Sequence, residues 1–233
     1  MIEAFLQQGS TYAGQIDFLI EVIAWLVGVW FVLAQGIFFY LMWAHRAKPG
    51  VKSEYVTGEE EYPKKLIGWA HWGVLACDVV ILVLAVQAWY DIKQDLPPAE
   101  RTVRVIGQQW AWTFVHPGPD GKLDTADDIA LIDELHIQEG VLYHYLLESR
   151  DVLHNFSVPV FRLKQDAIPG RTITGWFQAT ITGEYSIQCA EICGIGHGIM
   201  GARIFLETKD QHLAFHQSHS NTQLAATTVA AAR

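Results

Sequence analysis

A run of residues without a charged side chain, from Val22 to Met42, is the feature that most restricts what this chain can fold into. A helix over this run is about 31 Å long at 1.5 Å per residue, which matches the hydrocarbon core of a bilayer. A second run, from Leu66 to Tyr90, contains a single acidic residue, Asp78, among many Val, Leu and Ala residues. We therefore predict a transmembrane hairpin over residues 1–93, with helices at about 18–43 and 66–90. Two buried core helices of a soluble protein are the alternative, but two apolar runs of this length, which together contain a single acidic residue, argue against it.

The charges that flank the two runs predict the orientation of the hairpin. No Lys or Arg precedes the first run, whereas the loop between the runs is basic, with Arg46, Lys48, Lys52, Lys64 and Lys65. Basic loops stay in the cytoplasm, so we expect both chain termini on the periplasmic side of a bacterial inner membrane. The first run is about twice as long as the apolar core of a signal peptide, so we expect it to stay in the lipid bilayer.

The overall charge limits the partners of the chain. Charged residues make up 18% of the sequence, below the roughly 25% of a soluble domain. The net charge of −9 argues against nucleic acid as a partner, because phosphate binding requires a basic surface. A carboxylate at Asp78, near the middle of the second run, would be costly to expose to lipid. We therefore expect a second membrane subunit to cover it.

The pattern changes after the second apolar run, and residues 94–208 predict a β-sandwich. Short β-like segments alternate with Gly, Pro and Asp turns, which is typical of two packed sheets. The predicted strands are Thr102–Val115, Leu131–Ile137, Leu142–Glu148, Thr172–Ala179, Glu184–Gln188 and Gly201–Glu207. Residues 209–233 are rich in Ala and Thr, and we expect a mobile tail there. His212, His216 and His219 in this tail could bind metal adventitiously.

The segment from Gln188 to Met200 contains the residues that point to chemistry. Cys189, Cys193, His197 and Met200 are soft or borderline ligands of the kind that copper prefers. A single blue-copper ion uses one cysteine, two histidines and an axial methionine, so the second cysteine suggests two thiolates that bridge two copper ions. Such a centre needs another histidine, for which His154 is the candidate. The alternatives are a Cys189–Cys193 disulfide, an ordinary loop histidine and a methionine that only fills the core.

Together these features resemble subunit II of the haem-copper cytochrome c oxidases, which carries the binuclear copper centre called CuA. The resemblance extends from the helical hairpin through the runs Gln109–Trp112, Asp151–His154 and Lys164–Arg171 to the cysteine segment. It implies a membrane-anchored, cupredoxin-like Greek-key β-sandwich. It also implies a set of ligands: His154 and Met200 on one copper, His197 and the Glu191 carbonyl on the other, and Cys189 and Cys193 bridging both.

The resemblance further implies a function. The chain would accept electrons from cytochrome c, with Trp110 as the point of acceptance, and pass them to the haem-copper catalytic subunit I. There O₂ would be reduced to water with coupled proton translocation, so the chain would belong to an enzyme without containing its catalytic site. The Glu191 carboxylate would bind Mg²⁺ at the subunit interface. Alternatively Trp110 and Trp112 face the same side of one strand and only pack against a sheet.

Other functions remain open from the sequence. The same module could serve a nitric oxide reductase, which differs in the chemistry of the partner. A quinol oxidase subunit with a purely structural β-domain would not need Cys189 and Cys193, and a copper chaperone would not need a fixed redox potential. The loop Asp120–Asp128 has four aspartates that could supply oxygen ligands for Ca²⁺, although a solvated acidic turn is the preferred interpretation.

Overall fold

The computed structural model describes residues 6–52 and 55–219. The chain forms two units, one over residues 17–90 and the other from the residues up to Ile16 together with those from Asp91 onward. The membrane unit contains most of helix α1 (Ala13–Ala44) and helix α2 (Glu61–Trp89), and a five-residue π-helical turn follows at Tyr90–Gln94.

Both helices are long and apolar enough to cross a membrane, as judged by length and composition. Almost none of their apolar side chains is buried, whereas a core helix of a soluble protein would bury them. This confirms the prediction of two candidate transmembrane helices. Each begins five residues before the predicted start. The indole N–H of Trp30 on α1 lies 3.3 Å from Cys77 Sγ on α2, and the Trp30 ring lies against Gly73, where no side chain intervenes.

The second unit is a sandwich of two five-stranded sheets. The strands are β1 (Arg101–Gln108), β2 (Ala111–His116), β3 (Ile129–Ile132), β4 (Glu134–Gln138), β5 (Leu142–Ser149), β6 (His154–Val158), β7 (Leu163–Ala167), β8 (Ile173–Gln178), β9 (Gly183–Cys189) and β10 (Gly201–Glu207). One sheet has the order β3-β2-β1-β5-β8 and the other β4-β10-β9-β6-β7. The pairs β1–β5 and β4–β10 are parallel, and the remaining pairs are antiparallel. The predicted cupredoxin-like β-sandwich is thereby confirmed.

Aromatic side chains from both sheets fill the space between them. Trp112 and Phe114 alternate with half-buried residues on β2, as expected for a strand with one face in the core. Phe156 of the opposite sheet is fully buried, with its ring centroid 5.6 Å from that of Trp112 and 6.0 Å from that of Tyr145. Such edge-to-face contacts stabilise the core beyond the area that they bury.

Two of the predicted strands are each divided by a turn. The predicted strand 102–115 is a hairpin, because β1 and β2 pair directly across a turn at Gln109 and Trp110. The predicted strand 131–137 changes sheet at Asp133, whose φ of 59° lies in the left-handed region that Asp tolerates better than most residues. Asp133 Oδ1 also accepts a hydrogen bond from the Trp112 backbone N–H at 2.8 Å. No Gly or Pro marks either turn, which is why the pattern predicted continuous strands.

The chain termini differ from expectation as well. Residues 209–219 form a helix, so the prediction of a mobile tail is wrong for them; residues 220–233 lie outside the described part of the chain. Thr208 and Gln211 cap this C-terminal helix reciprocally, because each backbone N–H donates to the side-chain oxygen of the other. At the other end of the chain, the Gly9 N–H donates to the Val160 carbonyl at 2.9 Å, so the N-terminal segment packs on the sandwich.

Phe156→Ala should lower the free energy of unfolding of the sandwich by about 3–5 kcal/mol, because it opens a cavity among aromatic rings that cannot collapse. The measurement is denaturant unfolding of the detergent-solubilised chain, followed by near-ultraviolet circular dichroism. Ile132→Ala, at a position 68% exposed, is the control and should change stability by less than about 0.5 kcal/mol. Equal losses in the two variants would contradict this account of the core.

Candidate metal centre

The loop between β9 and β10 brings the predicted ligands together. Cys189 is the last residue of β9, and Met200 immediately precedes β10. The antiparallel pairing of these strands closes the base of the loop, with the Cys189 N–H donating to the Met200 carbonyl at 3.1 Å. Residues 190–199 therefore form a closed loop whose two ends are fixed by sheet hydrogen bonds.

The sulfur atoms of the loop lie close together without a covalent bond. Cys189 Sγ is 3.8 Å from Cys193 Sγ, far beyond the S–S bond length of about 2.05 Å, and both cysteines are free. Cys193 Sγ is also 3.7 Å from Met200 Sδ and 3.8 Å from His197 Nδ1. The disulfide alternative is therefore wrong for this structure, and His197 and Met200 both face the thiols.

His154 approaches the other thiol from the neighbouring strand β6. Its Nδ1 lies 3.9 Å from Cys189 Sγ, and the residue is fully buried. Among the described residues, His154, Cys189 and Cys193 are the group of three whose ligand atoms all lie within 4.8 Å of one another. The Glu191 carbonyl oxygen is 3.2 Å from Cys189 Sγ, while the Glu191 side chain is exposed. Thus the structure brings together all the ligand atoms that the sequence predicted.

Asp151 holds the ring of His154 in place. His154 Nε2 lies 2.8 Å from Asp151 Oδ1, so an Nε2–H that donates to the carboxylate leaves the Nδ1 lone pair directed at the thiols. Burial alone would raise the pKa of Asp151, but hydrogen bonds from the Gln109 N–H, the His154 ring and the Val152 N–H hold it below its usual range. In metal sites, a histidine ligand is commonly oriented by a carboxylate that accepts a hydrogen bond from its other ring nitrogen.

The two thiols form a site that suits a soft cation. Burial and the neighbouring Cys189 raise the pKa of Cys193 to about 11. Two thiolates at this separation repel each other unless a cation lies between them, and cysteine binds metal as the thiolate. The donor set of two sulfurs from cysteine, one thioether and two imidazoles fits copper by its softness. The residues present therefore fit the binuclear copper group that the sequence suggested.

Trp110 lies on the outer side of the same loop. Its indole covers Gly194 and Gly196, and a Cβ at Gly196 would be 2.4 Å from Trp110 Cδ2. Gln109 Nε2 donates to the Cys193 carbonyl at 2.7 Å, which ties this turn to the loop. Trp110 is 38% exposed and Trp112 is fully buried. The alternative in which both tryptophans pack on one face of a strand is therefore wrong, since Trp110 lies in a turn.

Asp151 and Gln109 support the site although the sequence pattern alone does not predict this role for them. Both occur in the runs that carried the resemblance, but their contacts depend on the turn between β1 and β2 lying beside the cysteine loop. The one local signal is the spacing of Asp151 three residues before His154, which is short enough for a carboxylate to reach the imidazole ring.

The acidic loop is held by its own carboxylates. Asp124 forms a two-pronged ion pair with Arg104 at 2.9 Å. Asp127 accepts hydrogen bonds from Thr125 and the Asp120 N–H, and Asp128 accepts one from the Asp124 N–H. These contacts favour the acidic-turn interpretation, and Ca²⁺ binding stays a prediction.

Comparison with known proteins gives the family. The family model described as cytochrome c oxidase subunit II, periplasmic domain, matches residues 126–207. The alternative cytochrome c oxidase subunit 2 of Bradyrhizobium diazoefficiens is 31% identical over 228 residues, which cover 88% of this chain and 80% of that protein. Cytochrome c oxidase subunit 2 of Thermostichus vulcanus is 41% identical over 120 residues, covering 52% of this chain and 33% of that protein.

A solved structure gives a further match. The periplasmic domain of cytochrome oxidase subunit II from Bradyrhizobium japonicum is 27% identical, covers 55% of this chain and 99% of that chain, and superposes with a TM-score of 0.49. The sequence match to the Bradyrhizobium diazoefficiens protein, which spans most of both chains, decides the assignment. This chain belongs to the cytochrome c oxidase subunit II family.

Proposed function

We propose that this chain is the electron-accepting subunit of a respiratory cytochrome c oxidase in a bacterial inner membrane. In this proposal a binuclear copper centre in the β9–β10 loop takes electrons from cytochrome c. The electrons pass on to the haem-copper subunit I, which reduces O₂ to water with coupled proton translocation. The observation that carries the proposal is that the imidazole of His154 on β6 meets two free, buried thiols, a second imidazole and a thioether at the β9–β10 loop.

The resemblance to subunit II suggests a specific assignment of ligands, whose donor atoms all lie 3.2–3.9 Å from one of the two thiols. Cys189 and Cys193 would bridge two copper ions. His154 and Met200 would complete one ion, and His197 with the Glu191 carbonyl would complete the other. When bound, such a pair of copper ions supplies a one-electron carrier whose charge is shared over both metals.

The protein around the loop favours an electron carrier. The β9–β10 pairing fixes Cys189 and Met200, and the Asp151 hydrogen bond fixes His154, so the ligands need not rearrange when the charge changes. Cys189, Cys193 and Met200 are buried, which excludes water from the sulfur atoms. All of the donor atoms are committed to the copper pair, so we assign O₂ reduction to the partner subunit.

The outer surface of the loop is suited to contact with another protein. Ile192, Ile195 and Ile199 are all at least 80% exposed, which is unusual for side chains of this size. Trp110 lies beside them, with its ring against Gly196 and part of its surface in contact with solvent. We propose that cytochrome c docks near Trp110 and that the indole shortens the path of the electron to the loop.

Charge would assist this docking. From Asp91 onward the sequence has 17 acidic and 11 basic residues. A net negative surface attracts a basic cytochrome and raises its rate of association at low ionic strength.

The arrangement of the termini supports the proposed membrane topology. Residues 9 and 10 hydrogen-bond to Val160 and Phe161 of the sandwich, so the segment before α1 and the sandwich lie on the same side of any membrane that α1 and α2 cross. The basic loop would then face the cytoplasm, with both described ends of the chain in the periplasm.

The copper proposal predicts two copper ions per chain. Cys193→Ser should lose at least one ion and the mixed-valence signal in electron paramagnetic resonance, because a hydroxyl does not replace a bridging thiolate. Copper content and the spectrum of the detergent-solubilised chain are the measurements. Cys77→Ser is the control, since this free cysteine lies in the membrane hairpin beside Trp30. One copper per chain, or an unchanged spectrum in Cys193→Ser, would contradict the proposal.

Trp110→Phe should slow electron uptake from cytochrome c in the intact complex at least about tenfold, which corresponds to about 1.4 kcal/mol in the barrier. The copper spectrum should be unchanged, because the residue is not a ligand. Stopped-flow reduction of the copper centre measures the rate. Trp112→Phe is the control and should lower stability while uptake stays within about twofold. If both variants take up electrons at the normal rate, Trp110 is not the point of acceptance.

Glu191→Gln should weaken Mg²⁺ at the interface with subunit I and slow electron transfer from the copper centre to the haem, because the exposed carboxylate would be a ligand. Copper content should be retained, since the backbone carbonyl remains. Mn²⁺ substituted for Mg²⁺ reports the site by electron paramagnetic resonance. An unaltered Mn²⁺ signal would show that Glu191 is not a ligand of this ion.

Turnover of NO in place of O₂ by the complex would favour the nitric oxide reductase alternative over the oxidase.

A further inference from the structure

The C-terminal helix brings histidines from separate parts of the chain into one cluster. His116 ends β2, His136 lies on β4, and His212 and His216 lie one turn apart on the helix over residues 209–219. His116 and His212 are almost fully buried. The cluster lies at the far end of β10 from the copper loop. Glu207 follows Met200 by seven positions, which is about 23 Å along a strand.

Glu207 connects two of these imidazoles. Its Oε1 lies 2.7 Å from His136 Nδ1, and its Oε2 lies 2.8 Å from His212 Nδ1. A carboxylate accepts hydrogen bonds, so the proton of His212 is on Nδ1 and the lone pair is on Nε2. The Tyr143 hydroxyl is 3.4 Å from this Nε2 and accepts a hydrogen bond from the Gln138 N–H. His212 is thus held with its metal-binding nitrogen facing away from the carboxylate.

His212 Nε2, the ring nitrogen on the side away from Glu207, faces a second imidazole. His212 Nε2 and His216 Nε2 are 3.2 Å apart. Two imidazole ligands on a tetrahedral ion with bonds of 2.0–2.1 Å have their nitrogens about 3.3 Å apart. Both rings line an open cavity of about 560 Å³, whose other lining residues include Glu100, Arg101, His116 and Tyr143. This cavity leaves room for the water molecules that would complete the coordination.

We propose that His212 and His216 form a second metal site, separate from the copper loop, for a divalent ion of the borderline class such as Zn²⁺. Imidazole nitrogen is the donor that these ions prefer, and an i, i+4 pair on a helix presents two rings on one face. Glu207 completes the carboxylate–histidine–metal arrangement that is common around such ions. A hydrogen bond between the two rings is the competing explanation of the short distance.

Titration of Zn²⁺ into the full chain in detergent tests the proposal by calorimetry. The chain carries Cys189→Ser and Cys193→Ser, so that thiolates do not contribute. One Zn²⁺ should bind, and His212→Gln or His216→Gln should weaken binding at least tenfold. Glu207→Gln should weaken it about tenfold by freeing the ring of His212, which makes Glu207 a positioning residue. His219→Gln is the matched control, because its imidazole lies on the same helix with Nδ1 2.9 Å from the Phe215 carbonyl, and binding should be unchanged.

Thermal unfolding provides a second measurement in the chain with native cysteines after copper loading. Zn²⁺ should raise the melting temperature of that chain and leave the His216→Gln variant unchanged, because a ligand stabilises only a state that binds it. The proposal is overturned if no saturable binding occurs, if binding survives both His212→Gln and His216→Gln, or if His219→Gln abolishes it. If the rings of His212 and His216 are only hydrogen-bonded to each other, no saturable binding of Zn²⁺ should occur.

Discussion

The antiparallel pairing of β9 with β10 is the constraint on which the metal centre depends. It places Cys189 beside Met200 by a backbone hydrogen bond, so the loop between them has fixed ends before any ligand is bound. Cys193 and His197 lie inside that loop, so its short length and fixed ends are enough to bring their side chains to the site. His154 is the exception, and it reaches the site because β6 pairs with β9 at Cys189. Donors from distant parts of the sequence thus converge through ordinary sheet hydrogen bonds.

The residues around the ligand atoms offset the cost of burying polar groups in the site. Buried thiols and a buried histidine would be costly groups if each stood alone, because each prefers a hydrogen-bonding partner or a charge to balance it. Asp151 supplies that partner for His154, and Gln109 secures the loop through the Cys193 carbonyl. The turn that carries Gln109 also carries Trp110, so one short segment both supports the loop and covers its outer side.

The sequence was most informative where a feature is local. The two apolar runs predicted both membrane helices, and the strand Gly201–Glu207 matches β10 over its full length. The structure brings together the side chains that were predicted as copper ligands, most of which lie within a dozen residues of one another in the sequence. The sequence was least informative where long-range pairing decides the outcome. The hairpin at Gln109–Trp110 has no glycine or proline to mark it. The role of Asp151 depends on its contact with His154 in the folded chain. The C-terminal helix is held by Phe215, which packs against His116 and His136, and by His212, which contacts Tyr143.

The N-terminal segment has a consequence for the order in which the protein folds. The Ser10 hydroxyl donates to the Phe161 carbonyl across 151 residues, and the Thr180 backbone N–H donates to the Gly9 carbonyl. Residues 9 and 10 precede both apolar helices in the chain, whereas their partners follow both helices, so these contacts form only after the helices have been synthesised. Until the whole β-domain has been synthesised, the edge that this segment covers stays open to other chains. We therefore expect the sandwich to assemble late and slowly, as folds with many long-range contacts do, and we expect a chaperone to have most effect before it closes.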